Sequence, residues 1–138
     1  MGNTNNKEEK LEIKTKEVDI YTKGKNGKCS FVLSYDDMLE PHFRKISHAS
    51  DLNSELLAII KSLEYIDKRE FNKIKIYSES RETIDYINQY IYINQSILSR
   101  NKKLKNLLYL ISDKCVNFYF KELNENNFVK TMLNYKLL

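Results

Sequence analysis

With 138 residues, 41% of them apolar, the chain has the length of one compact domain and enough greasy side chains to build a core. Lysine and arginine outnumber aspartate and glutamate by only 4, so the surface is mixed and mildly basic, which permits a nucleic-acid partner without demanding one. No apolar run approaches the ~18 residues of a membrane-crossing helix, and no Cys or His spacing matches a zinc finger or ribbon. In chain order, residues 1–16 are Asn, Lys, Glu and Thr with almost nothing to bury, and predict a disordered or frayed leader. The polar opening Met1–Asn6 has no signal-peptide core, and Asn6 stands where a myristoylation motif needs Ser or Thr, so a soluble, cytoplasmic protein without a membrane partner is expected.

From Val18 to Thr22 apolar and polar residues alternate at period two, Gly24 to Gly27 carries turn chemistry, and Cys29 to Tyr35 resumes as a strand, which predicts a β-hairpin. Asp36 through Pro41 reads as the next turn, and His42 to His48 as a third strand with Phe43 and Ile46 on different faces. Ser50 is the expected N-cap of a helix whose stripe is Leu52, Leu56, Ile59, Ile60, Leu63 and Ile66, ending near Asp67 and Lys68. Lys73 to Tyr77 follows as a strand. A second helix opens around Glu79 to Glu82 with Ile84, Ile87 and Ile91 inward, and Ile91 to Ile93 either prolongs or breaks it.

The densest basic run, Arg100 to Lys105, leads into a helix carrying Leu104, Leu107, Leu108 and Ile111. Lys102, Lys103 and Lys105 form either a solvated helix face or a phosphate-contacting patch. Val116 to Phe120 is a β-branched and aromatic strand, and Asn124 to Asn127 turns into a last helix with Phe128, Met132 and either Leu133 or Tyr135 inward. Cys29 and Cys115 both read as buried, reduced thiols. Tyr86, Tyr90 and Tyr92 offer either an interaction surface or partly buried packing.

Three strands joined by tight turns, then alternating helix and strand, predict an α/β domain over residues 17–138. Its sheet is mixed and five-stranded, a three-strand antiparallel meander plus two strands added by crossovers, with helices on both faces. Within that order, Val18-Asp19-Ile20-Tyr21-Thr22-Lys23-Gly24, Asn53-Ser54-Glu55-Leu56-Leu57-Ala58 and Ile76-Tyr77-Ser78-Glu79-Ser80 resemble the first-strand, first-helix and fourth-strand motifs of type 1 ribonuclease H. The resemblance implies a ribonuclease H-like fold. It also implies a site where four acidic side chains hold two divalent cations that clamp the attacking and leaving oxygens of a phosphodiester in an RNA–DNA hybrid.

The four positions correspond to Lys23, Glu55, Glu79 and Thr131. Lys23 replaces the acid that both metals share. At ~4 Å and an effective dielectric near 20 a unit charge pair is worth ~4 kcal/mol, and the swap reverses its sign toward a divalent ion. Asp19 lies roughly 13 Å back along an extended strand and cannot stand in. Glu79 is one methylene longer than the family's Asp, Thr131 falls at the fourth position with Glu125 nearby only in another register, and the histidine loop shrinks to Lys121 to Asn124. The asparagines that touch the hybrid correspond to Asp51 and Leu52.

These departures predict a ribonuclease H-like domain without catalytic activity, needing no cofactor and acting as a module that binds nucleic acid or protein. Lys23 would pair with one or both glutamates. The alternative is a divergent ribonuclease H that cleaves RNA in RNA–DNA hybrids through Glu55, Glu79 and perhaps Glu125, with magnesium or manganese held by Glu55 and Glu79.

Overall fold

The computed structural model describes residues 16–45, 51–92, 109 and 113–137, the side chains of 51–53 and 90–92 excepted. Strands β1 (Glu17–Lys25), β2 (Lys28–Tyr35) and β3 (Met38–Lys45) run antiparallel in an unbroken meander. Helix α1 (Asp51–Ile66) leads to β4 (Lys73–Ser78), helix α2 (Arg81–Tyr92) comes next, then β5 (Cys115–Phe120) and helix α3 (Phe128–Asn134). β4 lies parallel to β1 and β5 parallel to β4, giving one five-stranded sheet in the order β3-β2-β1-β4-β5.

Two tight turns make the meander. Asn26 and Gly27 have φ of 51° and 73°, Asp36 and Asp37 have φ of 48° and 58°, and each pair forms the whole loop of its hairpin. Positive φ at both central positions matches the right-handed twist of the flanking strands, and Asn, Asp and Gly tolerate it best. The second turn is therefore shorter than the sequence suggests. The segment Met38 to Pro41, expected as turn, belongs to β3, where Pro41 pairs with Val32. β3 is an edge strand, so a residue without an N–H is admissible there. The predicted continuation to Ile46 and His48, and the Ser50 cap, lie outside the described residues.

Alternation along β1 divides the core. Val18 and Ile20, with Phe31, Leu33, Ile74, Ile76 and Phe118, pack against Ile59, Ile60, Leu63 and Ile66 of α1 and Ile84 and Ile87 of α2. On the opposite face Val32, Leu39 and Tyr21 meet Leu123 and, from α3, Val129, Met132 and Leu133. β2 is covered on both sides, which is why Cys29 through Leu33 are all buried. The Ser30 hydroxyl donates 2.7 Å to the Leu133 carbonyl and ties α3 to that strand. Burial pushes the Cys29 thiol up to about 11, as expected of an inert core cysteine. Cys115 differs from expectation. It opens the edge strand β5 and is exposed.

Two further expectations are corrected. Phe128 is 65% exposed because it begins a short helix whose inward residues are Val129, Met132 and Leu133; Tyr135 is also exposed. Tyr86 is partly buried against the main core, which makes it packing, whereas the Tyr90 and Tyr92 side chains lie outside the described residues. Lys16, assigned to the leader by composition, is bound. Its carbonyl accepts from the Asn72 and Lys73 amides and its amide donates to Asn72. Residues 1–15 are outside the description, and no described helix is long and apolar enough to cross a membrane.

A polar knot holds β3 to the end of α1. Glu40 accepts from Tyr35 at 2.7 Å and Tyr65 at 2.6 Å, contacts His42, and pairs with Arg69 at 3.2 Å, whose guanidinium lies over the Tyr35, Tyr65 and Phe71 rings. Burial alone would raise the Glu40 carboxyl, but hydrogen bonds from Tyr65, His42, Tyr35 and Arg69 together outweigh it and hold the group at about 2. A depressed carboxylate stabilises the fold above its unfolded value and ceases to do so as pH falls from about 4.5 toward 2. Glu40→Gln is expected to remove about 2 kcal/mol of stability at neutral pH and flatten the acid limb of a urea-denaturation series.

Candidate functional site

Three of the corresponding positions, Lys23, Glu55 and Glu79, meet at the C-terminal ends of β1 and β4, the end of an α/β sheet where ligands usually sit. The approach of α1 to β1 sets the geometry. A Cβ at Gly24 would lie 2.0 Å from the Ser54 carbonyl oxygen, so only glycine lets the second turn of α1 press onto the strand. Ser54 reciprocates by accepting from the Gly27 amide at 3.2 Å. One residue on, Glu55 points over the sheet and accepts from Ser78 at 3.2 Å. Its carboxyl is pushed up to about 7: burial is the main cause and the Glu79 charge adds to it, against hydrogen bonds from Gly24 and Ser78 and the attraction of Lys23.

Glu79 follows β4 directly. Its Oε2 accepts from the Leu123 amide at 3.1 Å and lies 3.4 Å from the Lys130 ammonium. Its Oε1 is buried without a hydrogen-bond partner and lies 3.8 Å from the Lys23 ammonium. Lys130 also reaches Glu125 at 3.2 Å and the Leu123 carbonyl at 3.2 Å. The result is a chain of alternating charge, Lys23 to Glu79 to Lys130 to Glu125, with Glu55 beside it. Lys23 thus pairs with Glu79 and bears on Glu55 only through space.

Thr131 sits on the exposed side of α3, its hydroxyl 3.4 Å from the Asn127 carbonyl. The group that enters the site from this helix is its neighbour Lys130, which sequence reasoning missed. A signal existed. Asn127 caps α3 through its side chain, so Lys130 falls in the first turn, where the helix dipole disfavours a cation unless acids meet it. The basic run Lys102, Lys103 and Lys105 lies outside the described residues.

Solved structures of known proteins share this fold. A ribonuclease H1 from the halophilic archaeon Halobacterium salinarum superposes with a TM-score of 0.68 at 16% identity, over 88% of this chain and 97% of that one. The N-terminal ribonuclease H domain of a Mycobacterium tuberculosis protein, solved as a maltose-binding-protein fusion, gives 0.67 at 14% identity, over 89% and 94%. A ribonuclease H1 solved in complex with an RNA/DNA hybrid gives 0.61 at 13%, over 87% and 96%. The chain has the ribonuclease H-like fold. No protein-family model and no curated protein sequence matches it, so the likeness is one of architecture.

The ribonuclease H-like fold brings a two-metal site to mind, and the donor set here does not fit one. Hard divalent cations require several oxygen ligands of net negative charge. Two carboxylates face each other across this site, and two ammonium groups already engage Glu79, one on each side. Glu125 is turned outward onto Lys130, its side chain 91% exposed. Among the described residues no three acidic, histidine or cysteine side chains gather in a way that could hold a metal ion.

Proposed function

We propose that this ribonuclease H-like domain is a nucleic-acid-binding module that does not cut by a two-metal route. The observation that carries the reading is the double engagement of Glu79 by Lys23 and Lys130, which puts positive charge where the cutting reaction would need metal. The chain's net charge of +4 favours a phosphate-bearing partner, and a structural neighbour was solved with an RNA/DNA hybrid. A second reading, a divergent hybrid-cutting ribonuclease built on Glu55, Glu79 and Glu125, is favoured by one feature. With its carboxyl pushed up to about 7, Glu55 has the proton affinity of a general acid or base at neutral pH.

The test is incubation of the purified protein with labelled RNA–DNA hybrid in magnesium and in manganese, with Glu55→Gln alongside. The expected result is association that weakens as salt rises, without strand cleavage and without a metal-dependent rise in melting temperature. Cleavage that needs metal and disappears in Glu55→Gln would establish the ribonuclease instead. Absence of any association at low salt would leave a protein as the partner.

A further inference from the structure

The sheet itself assembles an aromatic array that no local stretch of sequence contains. Register sets Tyr21 of β1 opposite Tyr77 of β4, and Tyr77 opposite Tyr119 of β5. Their rings stack in a column across the strands, with centroids 5.1 Å apart at 19° and 5.5 Å apart at 28°. At its inner end Tyr21 is packed beside Leu123 and Leu133. At its outer end Tyr119 is 40% exposed on the last strand of the sheet. α3 covers β1, β2 and β3 on this face, so the column runs out from beneath the helix toward an edge.

Cations accompany the rings. Lys121, the residue after β5, places its ammonium 5.2 Å from the Tyr77 centroid and 5.7 Å from that of Tyr21. Lys75 lies one rung below, in register between Asp19 and Asn117. Among the described residues neither Lys121 nor Lys75 forms an ion pair with a carboxylate. Cross-strand tyrosines stabilise a sheet by themselves. That role needs neither a half-exposed terminal ring at an edge nor an unpaired ammonium over the column. Both suit a nucleic-acid strand, whose bases offer flat π-faces and whose phosphates seek cations. The interior of a duplex cannot use the column, because both faces of each base there are already stacked.

We propose that Tyr21, Tyr77 and Tyr119, with Lys121, form a stacking platform for an unpaired segment of nucleic acid, a base extending the column on Tyr119 while neighbouring phosphates meet Lys121. The proposal rests on the nucleic-acid reading above and adds to it the strand state of the ligand and a second contact surface next to the Lys23–Glu79–Lys130 cluster.

The test compares labelled oligouridylate with a blunt RNA–DNA hybrid on the full chain. The chain has no tryptophan, so its emission comes from its 10 tyrosines, and the share of quenching lost in a Tyr119 variant reports stacking there. Tyr119→Ala is expected to weaken single-strand binding by about tenfold and reduce the quenching, consistent with ~1–3 kcal/mol per stacked base. Tyr119→Phe should bind as the parent does, and hybrid affinity should be unchanged in both. Lys121→Gln should lower the slope of log affinity against log salt by about 0.7 on the single strand. Equal single-strand binding by the parent and Tyr119→Ala, or binding of hybrid alone, would overturn the platform and leave the nucleic-acid reading intact. Failure of both probes would overturn that reading as well. A change in the sedimenting mass of the ligand-free protein in Tyr119→Ala would assign the column to contact between copies and overturn the proposal.

Discussion

Gly24→Ala is expected to destabilise the domain by about 3 kcal/mol or more, read as a lower urea midpoint at an unchanged m-value. The added methyl would have to occupy space held by backbone, 2.0 Å from the Ser54 oxygen and 2.5 Å from the Glu55 nitrogen, and backbone cannot swing aside as a long side chain can. Relief requires α1 to lift from β1, which exposes Ile59 and Leu63 at the centre of the main core. The same movement draws Glu55 away from the Gly24 amide. A variant as stable as the parent would show that α1 does not approach the strand so closely.

Glu55→Gln is expected to stabilise the protein above neutral pH and to leave it unchanged in mild acid. The parent carboxyl is pushed up to about 7 in the folded state against about 4.5 when unfolded. Between those values the folded chain holds a proton that the unfolded chain releases, so stability is full below about 4.5 and declines as pH rises through about 7. The whole decline amounts to ~3 kcal/mol at ~1.4 kcal/mol per pH unit. Glutamine keeps an acceptor for Ser78 and for the Gly24 amide without the charge. Denaturation midpoints measured from pH 4 to pH 8.5 should therefore fall for the parent and stay level for the variant. Parallel profiles would mean that Glu55 ionises as freely as an exposed acid.

The two predictions concern the part of the molecule that sequence exposed most clearly. Gly24, Glu55 and Glu79 stand in short motifs whose order along the chain already implies which strand ends converge, because alternation and helical spacing are local properties of the chain. What local pattern could not supply was long-range register. Pro41 suggested a break and was absorbed by an edge strand. Phe128 has the apolar character of a core residue but opens its helix on the exposed side. Lys130, and not its neighbour Thr131, enters the site, since a one-residue change of register on a short helix rotates a different side chain inward. Tyr21, Tyr77 and Tyr119 are far apart in sequence, and only the parallel pairing of β1, β4 and β5 lines them up.

The hydrogen bond from Ser30 to the Leu133 carbonyl has a consequence for how the molecule is born. It joins an early hairpin to the last described helix, and among the described residues no helix or strand between them closes that side of the sheet. Val32 and Leu39 of the hairpin therefore find their described cover only in Leu123 and α3, about 90 residues later, a contact of long sequence separation that a chain completes late in folding.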